Sequence, residues 1–325
     1  MGISLARPID IDRHPLILKQ YILPTPSIDN FYQQIKRCIR LRIPGAITYS
    51  LPRFGKSYAI RYSVNIIRED YAAVPVFTFL CHKRMVTSET AFFTNLLEAV
   101  KHGSPHTGNS SAKRWRLISY VQQKADAGKH NLVVFFADEA QRLSVVEYEW
   151  LRDLHDELER RGTRMITFLV GQHELLHQKN GLREARQMQI VNRFMIDELR
   201  FRGLLSVDDI ATCLQGYDEA CYPEGSKWNY TRFFFPQAYD DGFRLVSQAQ
   251  TIWDSFAEAH CKAKMSSEIE IPMQYFTRAV EIALSDNLEH DSPEFRMSPA
   301  LWESAVGYSK FIESQEELRE MDAFS

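Results

Sequence analysis

Eight residues, Ser50-Leu51-Pro52-Arg53-Phe54-Gly55-Lys56-Ser57, separate the apolar run Gly45 to Tyr49 from a stretch with helical periodicity. Glycine, lysine and a hydroxyl residue at a strand-to-helix junction form the pattern of a phosphate-binding loop. Amides at the start of the helix point at phosphate oxygens, Lys56 reaches the β and γ groups, and the Ser57 hydroxyl can ligate Mg²⁺. The candidate nucleotide contacts are Ser50, Pro52, Arg53, Phe54, Gly55, Lys56, Ser57 and Tyr58. Ser50 stands where the full pattern has its first glycine, and Pro52 stiffens the loop. Taken alone, the loop also fits a plain turn with an exposed lysine.

A second segment, Leu132-Val133-Val134-Phe135-Phe136-Ala137-Asp138-Glu139, is an apolar strand ending in two adjacent carboxylates. Beside bound phosphates, Asp138 would hold Mg²⁺ and Glu139 would polarise an attacking water. The strand Met165 to Val170 leads into Gly171-Gln172, and Gln172 either orients that water or caps a helix. Arg193 precedes the last core strand, at a place from which it can reach a neighbouring subunit's nucleotide and neutralise transition-state charge. Arg183, Arg186 and Arg200 compete for that role. Arg244, in Asp241-Gly242-Phe243-Arg244, either folds over the nucleotide or is a surface arginine.

The elements that must hold these residues alternate. Strands are expected at Gly45 to Tyr49, Val74 to Leu80, Leu132 to Ala137, Met165 to Val170 and near Met195 to Leu199. Helices are expected at Lys56 to Arg68, Ser88 to Lys101, Ala112 to Ala127 and Val145 to Arg161. Strands that are apolar throughout and alternate with helices imply an α/β fold, a parallel sheet covered on both faces. After Arg202 the strand signals fade, and helical patterns at Val207 to Gln215, Gly242 to His260 and Pro272 to Leu284 suggest a small α-helical lid, interrupted by an aromatic stretch from Trp228 to Tyr239. The expected division is an extended, proline-bearing N-terminal arm over 1–26, an α/β nucleotide-binding domain over 27–203, a helical lid over 204–285 and a peripheral segment over 286–325.

Composition fits this plan. Of 325 residues, 45% are apolar and 25% charged, as in ordinary globular proteins. No apolar run approaches the roughly 20 residues of a membrane span, so a cytoplasmic protein is expected. The five cysteines form no C-x-x-C pair, which argues against a disulfide framework or a zinc site. A formal net charge of −3 excludes coating of DNA by charge alone, so any DNA contact must be local. Basic clusters occur, but such clusters are more often solvated helix faces.

With phosphate loop, D-E carboxylates, polar strand end, trailing arginine and helical lid in this order, residues 27 to 285 resemble the AAA+ ATPases. Ala137-Asp138-Glu139-Ala140-Gln141 and Leu169-Val170-Gly171-Gln172-His173-Glu174-Leu175 are similar to stretches of transposition regulators of the TnsC and TniB kind, and are shared with IstB helpers and ExeA secretion ATPases. The resemblance implies ATP and Mg²⁺ as cofactors, nucleotide between subunits, and a homo-oligomeric ring or filament on double-stranded DNA. It further implies that the protein links a target-selection protein to the transposase, away from any membrane. Candidates for contacting DNA phosphates are Lys83, Arg84, Lys113 and Arg114. The rival expectation is a signalling or defence ATPase that switches on nucleotide and never touches DNA.

Overall fold

A computed structural model describes residues 6–83, 85–128, 130–265 and 268–316. Contacts divide the chain into two compact units, 28–201 and a second built from residues up to 27 together with those from 202 onward.

The first unit is the α/β core. Its five strands, β1 (Gly45–Tyr49), β2 (Val76–Leu80), β3 (Leu132–Asp138), β4 (Arg164–Gly171) and β5 (Asp197–Arg200), lie in the order β2-β3-β4-β1-β5. Every pairing is parallel. Among the described residues, seven α-helices accompany them: α1 (Pro26–Leu41), α2 (Lys56–Asp70), α3 (Glu89–Ala99), α4 (Ser110–Asp126), α5 (Val145–Arg160), α6 (Glu174–Glu184) and α7 (Met188–Phe194).

Alternation along β3 sends side chains to opposite faces of the sheet. Val133, Phe135 and Ala137 join a buried cluster with Phe92 and Phe93 of α3, Leu117 of α4, and Leu151 and Leu154 of α5. On the other face, Phe31 of α1 meets Phe136, which stacks on Phe168 of β4, and Thr48 donates to Gln34 Oε1 at 2.9 Å. Burying each large apolar side chain contributes about 1.5–3 kcal/mol, which explains why β3 carries no polar residue before Asp138. Ser144 and Glu147 form a capping box at the start of α5, and Asn109 caps α4.

The second unit is helical: α8 (Val207–Glu219), α9 (Tyr230–Phe234), α10 (Pro236–Asp240), α11 (Ala249–Lys262), α12 (Met273–Asp286) and α13 (Pro299–Ser309). The aromatic stretch is its core, since Phe233, Phe234 and Phe235 are fully buried. Two expectations change here. Residues 6–26 are not a free arm: His14 and Leu16 are fully buried, His14 stacks on Phe233, and Tyr21 donates to Glu281 at 2.7 Å. The C-terminal segment is not peripheral either, because Trp302 and Phe311 lie inside the same cluster. Apolar residues between prolines gave the arm no helical or strand period, so its burial was invisible to pattern alone.

No helix among the described residues is long and apolar enough to cross a membrane.

Two histidines carry a pH dependence. Burial pushes His14 down to about 4 and His155 down to about 3, the latter with help from Arg193 and Arg164. Leu16 N–H donates to His14 Nδ1, so Nε2 carries the ring proton. Both rings are neutral in the folded chain, whereas an unfolded histidine binds a proton below its ordinary value of 6.5. Stability therefore falls as pH drops through that value toward 4. Thermal unfolding followed between pH 7.5 and 5 should show this slope, and His14→Phe should flatten it; an unchanged slope would remove His14 from the linkage.

Candidate functional site

All five strands point the same way, so the carboxyl ends of β3, β4 and β1 emerge side by side at one edge. Because β4 lies between β3 and β1, its terminal Gly171-Gln172 falls between the loop after β1 and the carboxylates after β3. Such an edge, where the strand order reverses, is where open α/β sheets bind ligands.

Backbone conformation sets the loop. Gly55, at φ 98° and ψ 14°, turns the chain into α2 in the left-handed region that glycine tolerates best. Ala59 N–H makes the early helical bond to Gly55 O at 3.0 Å, so the amides before it face out of the helix N-terminus. These amides and the helix dipole suit a phosphate. Lys56, 7% exposed, donates to Ser50 Oγ at 2.9 Å, Leu51 O at 2.9 Å and Ser50 O at 3.2 Å. Burial lowers its ammonium to about 8, against the pull of Glu139, Asp138 and Glu174.

Ser57 Oγ donates to Asp138 Oδ2 at 2.7 Å, so a hydroxyl and a carboxylate converge from two different elements. Hard oxygen donors of this kind fit Mg²⁺ in the company of phosphate oxygens. Burial pushes the Asp138 carboxyl above its ordinary value, opposed by the hydrogen bonds from Ser57 and from Glu139 N–H. Glu139 sits in the left-handed region at φ 58°, ψ 39°, and a 3-10 turn over Ala140–Arg142 follows. Its Oε2 receives Gln141 Nε2 at 3.0 Å, Gln172 Nε2 at 3.4 Å and Arg142 Nη2 at 3.2 Å. Hydrogen bonds thus tie Lys56 to Ser50 within the loop and join Ser57, Asp138, Glu139 and Gln172 at the same edge of the sheet.

Phe54 is buried beneath the loop, while Pro52, Arg53 and Tyr58 are exposed, with the Arg61 guanidinium 4.2 Å from the Tyr58 ring centroid. Arg193 lies apart, its guanidinium 2.6 Å from Asp156 and 3.4 Å from Glu159 on α5. Arg244 belongs to the helical unit, where it lies 3.6 Å over the Tyr239 ring and donates to Tyr239 O.

Two of the expected DNA contacts are engaged inside the core. Lys113 is buried and donates to Thr94 at 2.6 Å, because it falls on the side of α4 that packs against α3. Arg114 is paired with Glu89 and, at 3.3 Å, with Asp153. Lys83 is exposed after β2, and Arg84 lies outside the described residues. Gln141 and Arg142 escaped sequence reasoning: Gln141 ends the Ala137 to Gln141 stretch and Arg142 follows it, but only the reversal at Glu139 folds them back onto its carboxylate.

Residues 49–178 match the family described as the AAA domain, a span that includes the loop, both carboxylates and Gln172. No curated protein matches the chain. Among solved structures, the Aeropyrum pernix ORC2 protein in its ADP form is similar, with a TM-score of 0.57 and 14% identity over 89% of this chain and 70% of that one. The same protein in ADPNP-ADP complexes gives 0.54 and 13% over 90% and 71%. The Aeropyrum pernix ORC1 protein in complex with DNA gives 0.51 and 13% over 90% and 68%.

Only a protonated Lys56 can pair with phosphate, so nucleotide affinity should fall as pH rises through 8. Removing its charge-assisted bonds in Lys56→Ala should weaken ATP binding roughly tenfold to a hundredfold. Equilibrium titration with a fluorescent ATP analogue at pH 7 and pH 9 measures both; unchanged affinity in the variant would detach Lys56 from phosphate. A parallel sheet in this order, a glycine-turned loop facing paired carboxylates and an AAA-domain match over residues 49–178 that spans both give the chain an AAA+ P-loop fold and the activity of an ATPase.

Proposed function

We propose that the chain is an ATP-dependent, DNA-binding regulator of transposition, which oligomerises on double-stranded DNA and links a target-selection protein to the transposase. Hydrolysis drives disassembly and so limits where insertion occurs. The observation that carries the ATP-dependent step is the convergence of Ser57 with Asp138 at 2.7 Å, beside Glu139 and Gln172. Ser57 and Asp138 would hold Mg²⁺, which supplies charge neutralisation at the phosphates when bound. Glu139 polarises water and Gln172 orients it.

Two further observations support the regulator reading. The D-E-A-Q and G-Q-H-E-L stretches resemble those of TnsC and TniB proteins. A protein of similar fold, the Aeropyrum pernix ORC1 protein, has been solved in complex with DNA. Lys83 is the exposed candidate for phosphate contact, and weak contacts from many subunits would add. Arg193 serves the neighbouring subunit by exchanging Asp156 and Glu159 for the transferred phosphate.

The internal pairing of Lys113 and Arg114 favours one rival, a nucleotide-switched signalling or defence ATPase that does not bind DNA. Sedimentation with and without double-stranded DNA, in ATP, a non-hydrolysable analogue, ADP or no nucleotide, separates the two. Large, salt-sensitive complexes that need both DNA and a triphosphate are expected; nucleotide response without any DNA effect would favour the rival. Glu139→Gln should bind ATP yet form long-lived complexes, with hydrolysis lowered about 100-fold or more. Mixed with Arg193→Ala, it should recover some hydrolysis, and no recovery would assign the trans role to another arginine.

A further inference from the structure

Gln141 touches both halves of the proposed catalytic pair. Its Nε2 donates to Glu139 Oε2 at 3.0 Å, and its Oε1 accepts the backbone N–H of Gln172 at 3.0 Å. A single amide orientation satisfies both bonds, because an N–H cannot accept and a carboxylate cannot donate. The half-buried amide therefore ties the Glu139 carboxylate to the end of β4 at a fixed distance.

Two features of the backbone exist to make this tie possible. The first is the left-handed conformation of Glu139, after which the 3-10 turn closes with Arg142 N–H on Glu139 O at 3.0 Å and returns Gln141 beneath its neighbour. The second is Gly171. A Cβ at that position would lie 2.4 Å from Gln141 Oε1, closer than real Cβ contacts come. Any other residue there would displace the amide. Arg142 also reaches Glu139 Oε2, but it is a 41% exposed side chain in an i,i+3 pair, and such pairs hold geometry weakly.

We infer that Gln141 is a positioning residue for hydrolysis. It sets the Glu139 carboxylate and Gln172 as one unit, and Gly171 supplies the room it needs. The inference rests on Glu139 acting on the attacking water.

The test is single-turnover ATP hydrolysis and ATP affinity, measured on the full chain. Gln141→Glu keeps shape and the acceptor for Gln172 N–H, but sets an oxygen against Glu139. It should fold with an unchanged melting temperature, bind ATP within about twofold of the parent, and hydrolyse roughly tenfold to a hundredfold more slowly. Gly171→Ala should show the same split. In a Gln141→Ala background the colliding oxygen is gone, and the remaining neighbours of an added Cβ, Gln141 N at 3.3 Å and Ala140 N at 3.4 Å, are tight but tolerable. Gly171→Ala should then cost nothing further, the non-additivity expected of two residues in contact, and the loss of hydrolysis at unchanged affinity and melting temperature is what a merely structural role would not give. Additive losses, a parallel loss of affinity, or a fully active Gln141→Glu would overturn the proposal. A Glu139→Gln variant measured alongside keeps the two claims apart: if it hydrolyses normally, the role of Glu139 fails, whereas slow Glu139→Gln with normal Gln141→Glu sinks only the role of Gln141.

Discussion

The parallel register of three strands is the constraint on which the rest depends. β1 pairs with β4 from Gly45 to Tyr49, and β4 pairs with β3 from Leu132 to Asp138. Because all three run the same way, the chain after each must leave from one edge. Ser57, Asp138 and Gln172 come from positions far apart in sequence, yet the sheet delivers them within hydrogen-bonding range of one another or of Glu139. Antiparallel pairing anywhere among these strands would send one of them to the opposite edge. The apolar runs and covering helices are what make such a sheet stable.

Crowding an ammonium and two carboxylates at a partly buried edge is costly unless each is hydrogen-bonded. Each of them is. Lys56 finds three loop oxygens, Asp138 receives Ser57 and a backbone amide, and Glu139 receives two amides and a guanidinium. The departure at Ser50 fits into this account. Its hydroxyl accepts from Lys56 at 2.9 Å, an interaction that the usual glycine could not make.

Much of this was legible beforehand, for identifiable reasons. The strand ending in Asp138-Glu139 is a run of apolar residues whose burial on both faces leaves no other reading, and the loop announces itself through Gly55-Lys56-Ser57. The start of α8 is also marked by residue type: Ser206 accepts from Asp209 N–H as its cap, and Asp209 Oδ2 accepts from Leu205 N–H. What stayed hidden depended on which way a side chain points. Lys113 reads as a basic residue at a helix start, and nothing local reveals Thr94 on the neighbouring helix. Gln141 follows a glutamate whose left-handed backbone no propensity announces, since that conformation is uncommon outside glycine, asparagine and aspartate. The burial of His14 needed a partner, Phe233, more than two hundred residues away.

That last separation has a consequence for biosynthesis. The helical unit is discontinuous, assembled from residues before 28 and after 201, with the whole α/β core inserted between them. Emerging from the ribosome, Leu16 and Leu23 precede their apolar partners, among them Phe233, Ile252 and Trp302, by most of the polypeptide. At roughly 5 to 20 residues per second, the interval is on the order of tens of seconds. Throughout it the core can close on its own local contacts, whereas the leading apolar residues stay unsatisfied. Vectorial synthesis thus imposes an order in which the nucleotide-binding core matures first, and in which the segment around Leu16 and Leu23 is the one that a holding chaperone would meet.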